Sequence, residues 1–121
     1  MSETNLSPQT SDINALLGVS KTPVTVFTLS WCSYCHAVKQ LLDHLKIAYT
    51  TVELDTGEYA TPGRHEQLRR ELLEMTSSRT LPQVFVGASH NIGGYTETRQ
   101  SAQSGKLQEL VNAQLGARQH N

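Results

Sequence analysis

Between residues 23 and 45 the hydrophobic period of the chain changes once, abruptly. "PVTVFTL" (23–29) is almost unbroken in apolar and β-branched residues, the pattern of a strand buried on both faces. From Ser33 onward, Val38, Leu41, Leu42 and Leu45 recur at i, i+3, i+4 and i+7, one stripe of an amphipathic helix. A doubly covered strand that hands over directly to a helix predicts a crossover to a parallel partner. At the point of handover stands "WCSYC" (31–35).

The remaining segments extend this pattern. "SDINALLG" reads as a short helix capped by Ser11 or Asp12 and stopped at Gly18. "AYTTVEL" (48–54) is a second strand, "DTGEYATPG" a loop, and "RHEQLRRELLEM" (64–75) a charged helix with Leu68, Leu72 and Leu73 inward. "PQVFVG" (82–87) is a third strand, Asn91-Ile92 starts a fourth, and Leu107, Leu110, Val111 and Leu115 mark a last helix. The order (α)βαβαββα predicts an α/β domain over residues 11–116: a small mixed four-stranded sheet flanked by helices, parallel early and a hairpin late. Residues 1–10 are expected to form a flexible polar tail, and residues 117–121 a frayed end.

The formal net charge of -1 gives no field that would draw the chain to nucleic acid or lipid. No apolar run approaches the roughly 18–20 residues of a membrane span. The N-terminus has neither a basic nor an apolar region of a targeting segment, so a cytoplasmic location is expected.

The chain has two cysteines, Cys32 and Cys35, and no other thiol to bridge distant elements. "CSYCH" also matches a c-type haem attachment site, with His36 as axial ligand. That reading needs an exported chain and usually a second axial ligand; Met75 ends a charged helix and Met1 is terminal. Structural zinc needs four ligands, whereas His44, His65, His90 and His120 are scattered singly. A redox pair explains the placement. Cys32 at a helix N-terminus faces unpaired N–H groups and the positive end of the dipole. It is expected to be the exposed nucleophile, with Cys35 one turn in as the more buried resolving thiol.

Farther along, Pro82 follows an extended Leu81, and Gly93-Gly94 allows a sharp turn before helical N–H groups that can hold an anion. Together, "WCSYC", the charged helix, "RTLPQVFVG" and "IGGYTE" make the chain resemble a glutaredoxin over roughly residues 20–115. The resemblance implies a thioredoxin-like fold, a cis Leu81–Pro82 bond, and glutathione as co-substrate. It implies Cys32 and Cys35 as the catalytic pair and Tyr34 lining the site. Thr80 and Leu81 would pair through their backbone with the cysteinyl part of glutathione. Gly94, Tyr95 and Thr96 would hold the γ-glutamyl carboxylate, with Glu97 nearby. Arg69 stands where the family meets the glycyl carboxylate, or else is a solvated helix arginine; Arg79 is open in the same way.

Three positions depart from the family pattern. Ser33 replaces the proline of "CPYC", Leu29 replaces a lysine three positions before the nucleophile, and "GGYTE" replaces a "GG-x-D-D" style. Without that lysine, Cys32 is expected to rely more on the helix terminus. Trp31 either shields the thiol or docks a target, or else packs under the loop, and His36 is expected to face solvent. The leading expectation is a glutathione-dependent thiol–disulfide oxidoreductase acting on protein–glutathione mixed disulfides and protein disulfides, as a monomer. Because Ser33 removes the proline, the alternative by resemblance is a [2Fe–2S] carrier, bridged between two monomers by Cys32 and glutathione thiols. A third reading draws electrons from thioredoxin reductase.

Overall fold

The computed structural model describes residues 12–119. The expected polar tail over 1–10 and the cap at Ser11 lie outside the described residues. Four strands form one sheet in the order β2-β1-β3-β4, with β1 Val24–Thr28, β2 Tyr49–Glu53, β3 Gln83–Val86 and β4 His90–Gly93. β1 and β2 are parallel, with Val26 opposite Thr51. The connection between them is α2 (Ser33–His44), the crossover expected from the change of period. β3 runs antiparallel to β1, and β4 antiparallel to β3, with an irregularity between Val84 and Phe85.

All five residues of β1 are buried, which is why that segment carries no alternation. Side chains leave a strand on alternate faces, so β1 feeds two cores. Phe27 points to the face covered by α1 (Asp12–Val19) and α3 (Arg64–Thr76), joining Ile13, Leu17, Leu68 and Leu72. Val24 and Val26 point to the other face, against Val38 and Leu42 of α2 and Leu107 and Val111 of α5 (Lys106–Gln119). Phe27 and Phe85 meet edge to face, centroids 5.6 Å apart, in the first core.

The helix ends follow local chemistry. α1 is tied to α3 by its first residues: Asp12 accepts from Arg64 and Gln67, both at 2.9 Å, and the Ile13 N–H donates to Glu71. Gly18 does not stop α1, which continues through Val19. The loop after β2 contains a single 3-10 turn, Gly57–Ala60. Glu66 accepts from the Gly63 N–H at the start of α3.

The C-terminal region is two helices where one was expected. α4 (Tyr95–Gln103) precedes α5, and the chain breaks at Gly105, whose φ of 84° suits glycine. α4 has one fully buried residue, Thr98, so it shows no apolar stripe. α5 runs through Gln119, into the stretch expected to fray. No helix among the described residues is long and apolar enough to cross a membrane.

Phe85→Ala, which empties the centre of the first core, is expected to cost about 3–5 kcal/mol. Urea unfolding should show a lower midpoint with an unchanged slope.

Candidate active site

Cys32 is the N-cap of α2, in extended conformation (φ -88, ψ 116). Its sulfur does what a serine or aspartate oxygen does at most helix starts: it accepts the Cys35 backbone N–H, at 3.1 Å. The thiol donates toward the Leu81 carbonyl, 3.6 Å away. These two contacts fold the sulfur inward. Cys32 is therefore only 8% exposed, a correction to the expectation of an exposed thiol, and the expected ranking holds because Cys35 is 0% exposed.

Both cysteines carry free thiols. Burial, and then the hydrogen bond with Cys32, push the Cys35 thiol up to about 12. Cys35 therefore stays protonated at neutral pH. The N-terminus of α2 and the Cys35 N–H are both aimed at the Cys32 sulfur.

Leu29, at the position of the family lysine, is buried in the same apolar cluster as the two cysteines. No cation approaches the sulfur from there. Trp31 is 75% exposed, which removes the packing reading for its ring. His36 is exposed as expected, but its Nε2 lies 3.2 Å from the Ser30 carbonyl, so it engages the loop and not the thiol.

The opposite wall is the segment before β3. The Leu81–Pro82 bond is cis. Gln83 donates to the Thr80 carbonyl at 2.9 Å, and Asn91 of β4 donates to Gln83 at 3.2 Å. The Thr80 N–H is engaged by the Ser78 hydroxyl. Of the two residues expected to offer backbone groups to a ligand, Leu81 keeps its N–H without an internal partner among the described residues.

Gly93 has φ 122°, and a Cβ there would sit 2.9 Å from the Glu97 side chain. Glu97 folds back over it and accepts from the Gly94 N–H at 2.9 Å. The N–H groups of Tyr95 and Thr96, in the first turn of α4, have no helical acceptor. Tyr34 and Tyr95 stack at 5.9 Å, joining the starts of α2 and α4.

Two cavities meet along this surface. The first, about 520 Å³, holds Cys32, Leu29 and Trp31 on one side and Arg69 and Arg79 on the other. The second, about 240 Å³, runs between Pro82 and the Gly94–Glu97 turn. They share Tyr34, Thr80 and Leu81, so they form one groove. Every candidate residue lines it except Cys35, which lies beneath Cys32. Arg69 donates to the Arg79 carbonyl at 3.0 Å, which fixes the two arginines side by side.

A family model described as Glutaredoxin matches residues 24–90, from β1 into β4, with both cysteines and Pro82. The chain belongs to the glutaredoxin family. A glutaredoxin of Ricinus communis is 40% identical over 93 residues, covering 77% of this chain and 85% of the relative. The mitochondrial glutaredoxin-2 of Homo sapiens is 37% identical over 94 residues, 78% of this chain and 54% of that one. The crystal structure of a buckwheat glutaredoxin–glutathione complex superposes with a TM-score of 0.71 at 32% identity, covering 84% of each chain. The fold is the thioredoxin-like fold of these glutaredoxins, and Cys32 and Cys35 are the redox-active pair of a thiol–disulfide oxidoreductase.

Two residues of this glutaredoxin site carry no motif signal. Asp55, just past β2, holds Ser30, and Gln83 holds Thr80. A polar glutamine directly after Pro82, in an otherwise apolar strand, is the one cue to the second in the sequence; Asp55 falls in what reads only as a loop.

Iodoacetamide near neutral pH is expected to add once, at Cys32, with Cys35 labelling only as the medium turns strongly alkaline. Peptide mass spectrometry checks this, and first labelling at Cys35 would contradict the assigned burial and protonation.

Proposed function

We propose that the chain is a glutathione-dependent oxidoreductase that reduces protein–glutathione mixed disulfides, with Cys32 as nucleophile and Cys35 as resolving thiol. The observation that carries this reading is the continuous groove with Cys32 at its middle and a carboxylate-binding feature at each end. At one end are the open N–H groups of α4, and at the other Arg69 and Arg79. Glutathione has a carboxylate at each end and its thiol between them. The Glu97 carboxylate beside the α4 turn suits the ammonium of the γ-glutamyl end, and the free Leu81 N–H suits the cysteinyl backbone. The buckwheat relative, solved as a glutathione complex, supports the same ligand.

In this reading the Cys32 thiolate attacks the glutathione sulfur of the mixed disulfide. The old S–S bond breaks, and the target protein leaves as a thiolate that takes up a proton. Cys32 now carries glutathione. A second glutathione thiolate attacks the glutathione sulfur, releasing oxidised glutathione and the Cys32 thiolate. In the dithiol route Cys35 attacks the Cys32 sulfur instead and expels glutathione, leaving a Cys32–Cys35 disulfide for two further glutathiones to reduce. Burial, and then the hydrogen bond with Cys32, hold the proton on Cys35 in the reduced pair, so the dithiol route requires Cys35 to lose that proton before it attacks.

A second reading, a [2Fe–2S] group shared by two copies, rests on residue 33. Serine there keeps a backbone N–H at the helix start that a proline lacks, and thiolate ligation suits such a group. Among the described residues no cluster of three or more His, Cys, Asp or Glu side chains could hold a metal. One copy therefore fits only as a partial ligand set, giving Cys32, with a second copy and glutathione thiols completing it. Purification without air in the presence of glutathione separates the two: visible cluster absorption supports the carrier, and a colourless active protein the reductase.

Deglutathionylation should vanish in Cys32→Ser and persist in Cys35→Ser; the reverse outcome would overturn the assignment. Arg69→Ala and Arg79→Ala should each raise KM for the glutathionylated substrate about tenfold with kcat nearly unchanged, the size of one lost charge-assisted hydrogen bond. Steady-state kinetics with a glutathionylated peptide reads both.

A further inference from the structure

We propose that Asp55 is a positioning residue for the thiol chemistry, acting through Ser30 on the loop that leads into Cys32. The proposal rests on the reading of Cys32 as the nucleophile. Every polar group of Ser30 is held. Its N–H donates to one oxygen of Asp55 at 2.9 Å, and its hydroxyl to the other at 2.6 Å. Its carbonyl faces His36 Nε2 at 3.2 Å. Two donors on the two oxygens of one carboxylate fix an orientation as well as a place. The Ser30 hydroxyl hydrogen bond, first among several causes, holds the Asp55 carboxyl below its ordinary range, so the acceptor is charged at neutral pH.

The clamp has a rigid base. Immediately before Asp55, the Leu54 N–H donates to the Thr28 carbonyl at 2.9 Å, continuing the β1–β2 pairing. The Leu54 carbonyl lies 2.7 Å from His65 Nδ1 on α3. The sheet and α3 thus set where Asp55 stands. On the other side, one residue separates Ser30 from Cys32, and the Cys32 N–H donates back to the Leu29 carbonyl at 3.3 Å, closing the turn. A turn of four residues pinned at its second member has little freedom left. The direction in which Cys32 leaves the backbone follows from it, and so do its distances to the Cys35 N–H and the Leu81 carbonyl. The clamp also holds Trp31 out at the rim of the groove.

A merely structural hydrogen bond near the surface would change melting temperature and nothing else. A positioning role changes the sulfur's reactivity in the folded state. Asp55→Ala is expected to slow both Cys32 alkylation by iodoacetamide and kcat for deglutathionylation about tenfold, within the roughly 10²-fold that a 1 Å misplacement can cost. The KM for the glutathionylated substrate should hardly move. Trp31 is the chain's single tryptophan, so its fluorescence anisotropy reports the loop directly and should fall. Asp55→Asn should recover most of the loss, because an amide can accept from the Ser30 N–H and donate to its hydroxyl. Alkylation needs no glutathione, so it tests the clamp even where glutathione dependence fails. A folded Asp55→Ala with wild-type alkylation and anisotropy overturns the proposal, whatever its melting temperature or turnover. Should Asp55→Ala not fold, Ser30→Ala removes the hydroxyl arm alone. It should shift both readouts the same way by less, and unchanged readouts would overturn the proposal equally.

Discussion

The burial of β1 on both faces is the constraint from which the reactive end of the molecule follows. β1 lies in the interior of the sheet, with β2 parallel to it on one side and β3 antiparallel on the other. The end of β2, the start of β3 and the end of β4 then all lie beside the end of β1. Asp55 follows β2, Pro82 precedes β3, and Gly93 closes β4, so positions 27, 54 and 65 residues beyond the end of β1 at Thr28 converge at one end of the sheet. α2 and α4 both begin there, and both present helix N-termini to the same groove. A surface that gathers positive helix ends favours thiolate and carboxylate chemistry before any side chain is chosen.

The parts legible in the sequence are those whose signal is local. The switch of period at residues 29–33 is carried by adjacent residues, and it placed β1, α2 and the cysteine pair correctly. α4 escaped because its stability is not written as a stripe. Its one buried residue is a threonine, and Glu97 starts it by reaching back to Gly94. Asp55 and Gln83 escaped for a related reason. Each acts on a backbone group of a loop, and a backbone group has no letter in the sequence. Trp31 was undecidable because a large ring beside a loop suits either side of it, and only its exposure in the folded chain shows which.

The two sulfurs are three positions apart in the sequence and about one helical turn apart in space, yet their surroundings differ. Cys32 meets an N–H, a carbonyl and the mouth of a groove. Cys35 meets apolar side chains and the other sulfur. Cys32 is nearly as buried as Cys35, but it alone opens onto the groove, while Cys35 lies closed beneath it. The absence of a lysine at Leu29 strengthens the contrast, since the cluster beneath the pair stays wholly apolar on that side.

The capping hydrogen bond at Cys32 couples helix folding to electron transfer. A reduced sulfur carries the cap of α2, while a sulfur spent in a disulfide is a poorer acceptor. N-caps are worth about 0.5–2 kcal/mol. For a two-electron couple that is about 10 to 40 mV, in the direction that makes the pair more oxidising by stabilising its reduced form. The first turn of α2 thus works as a reference electrode for the molecule, its setting adjustable by any change that tightens or frays that turn.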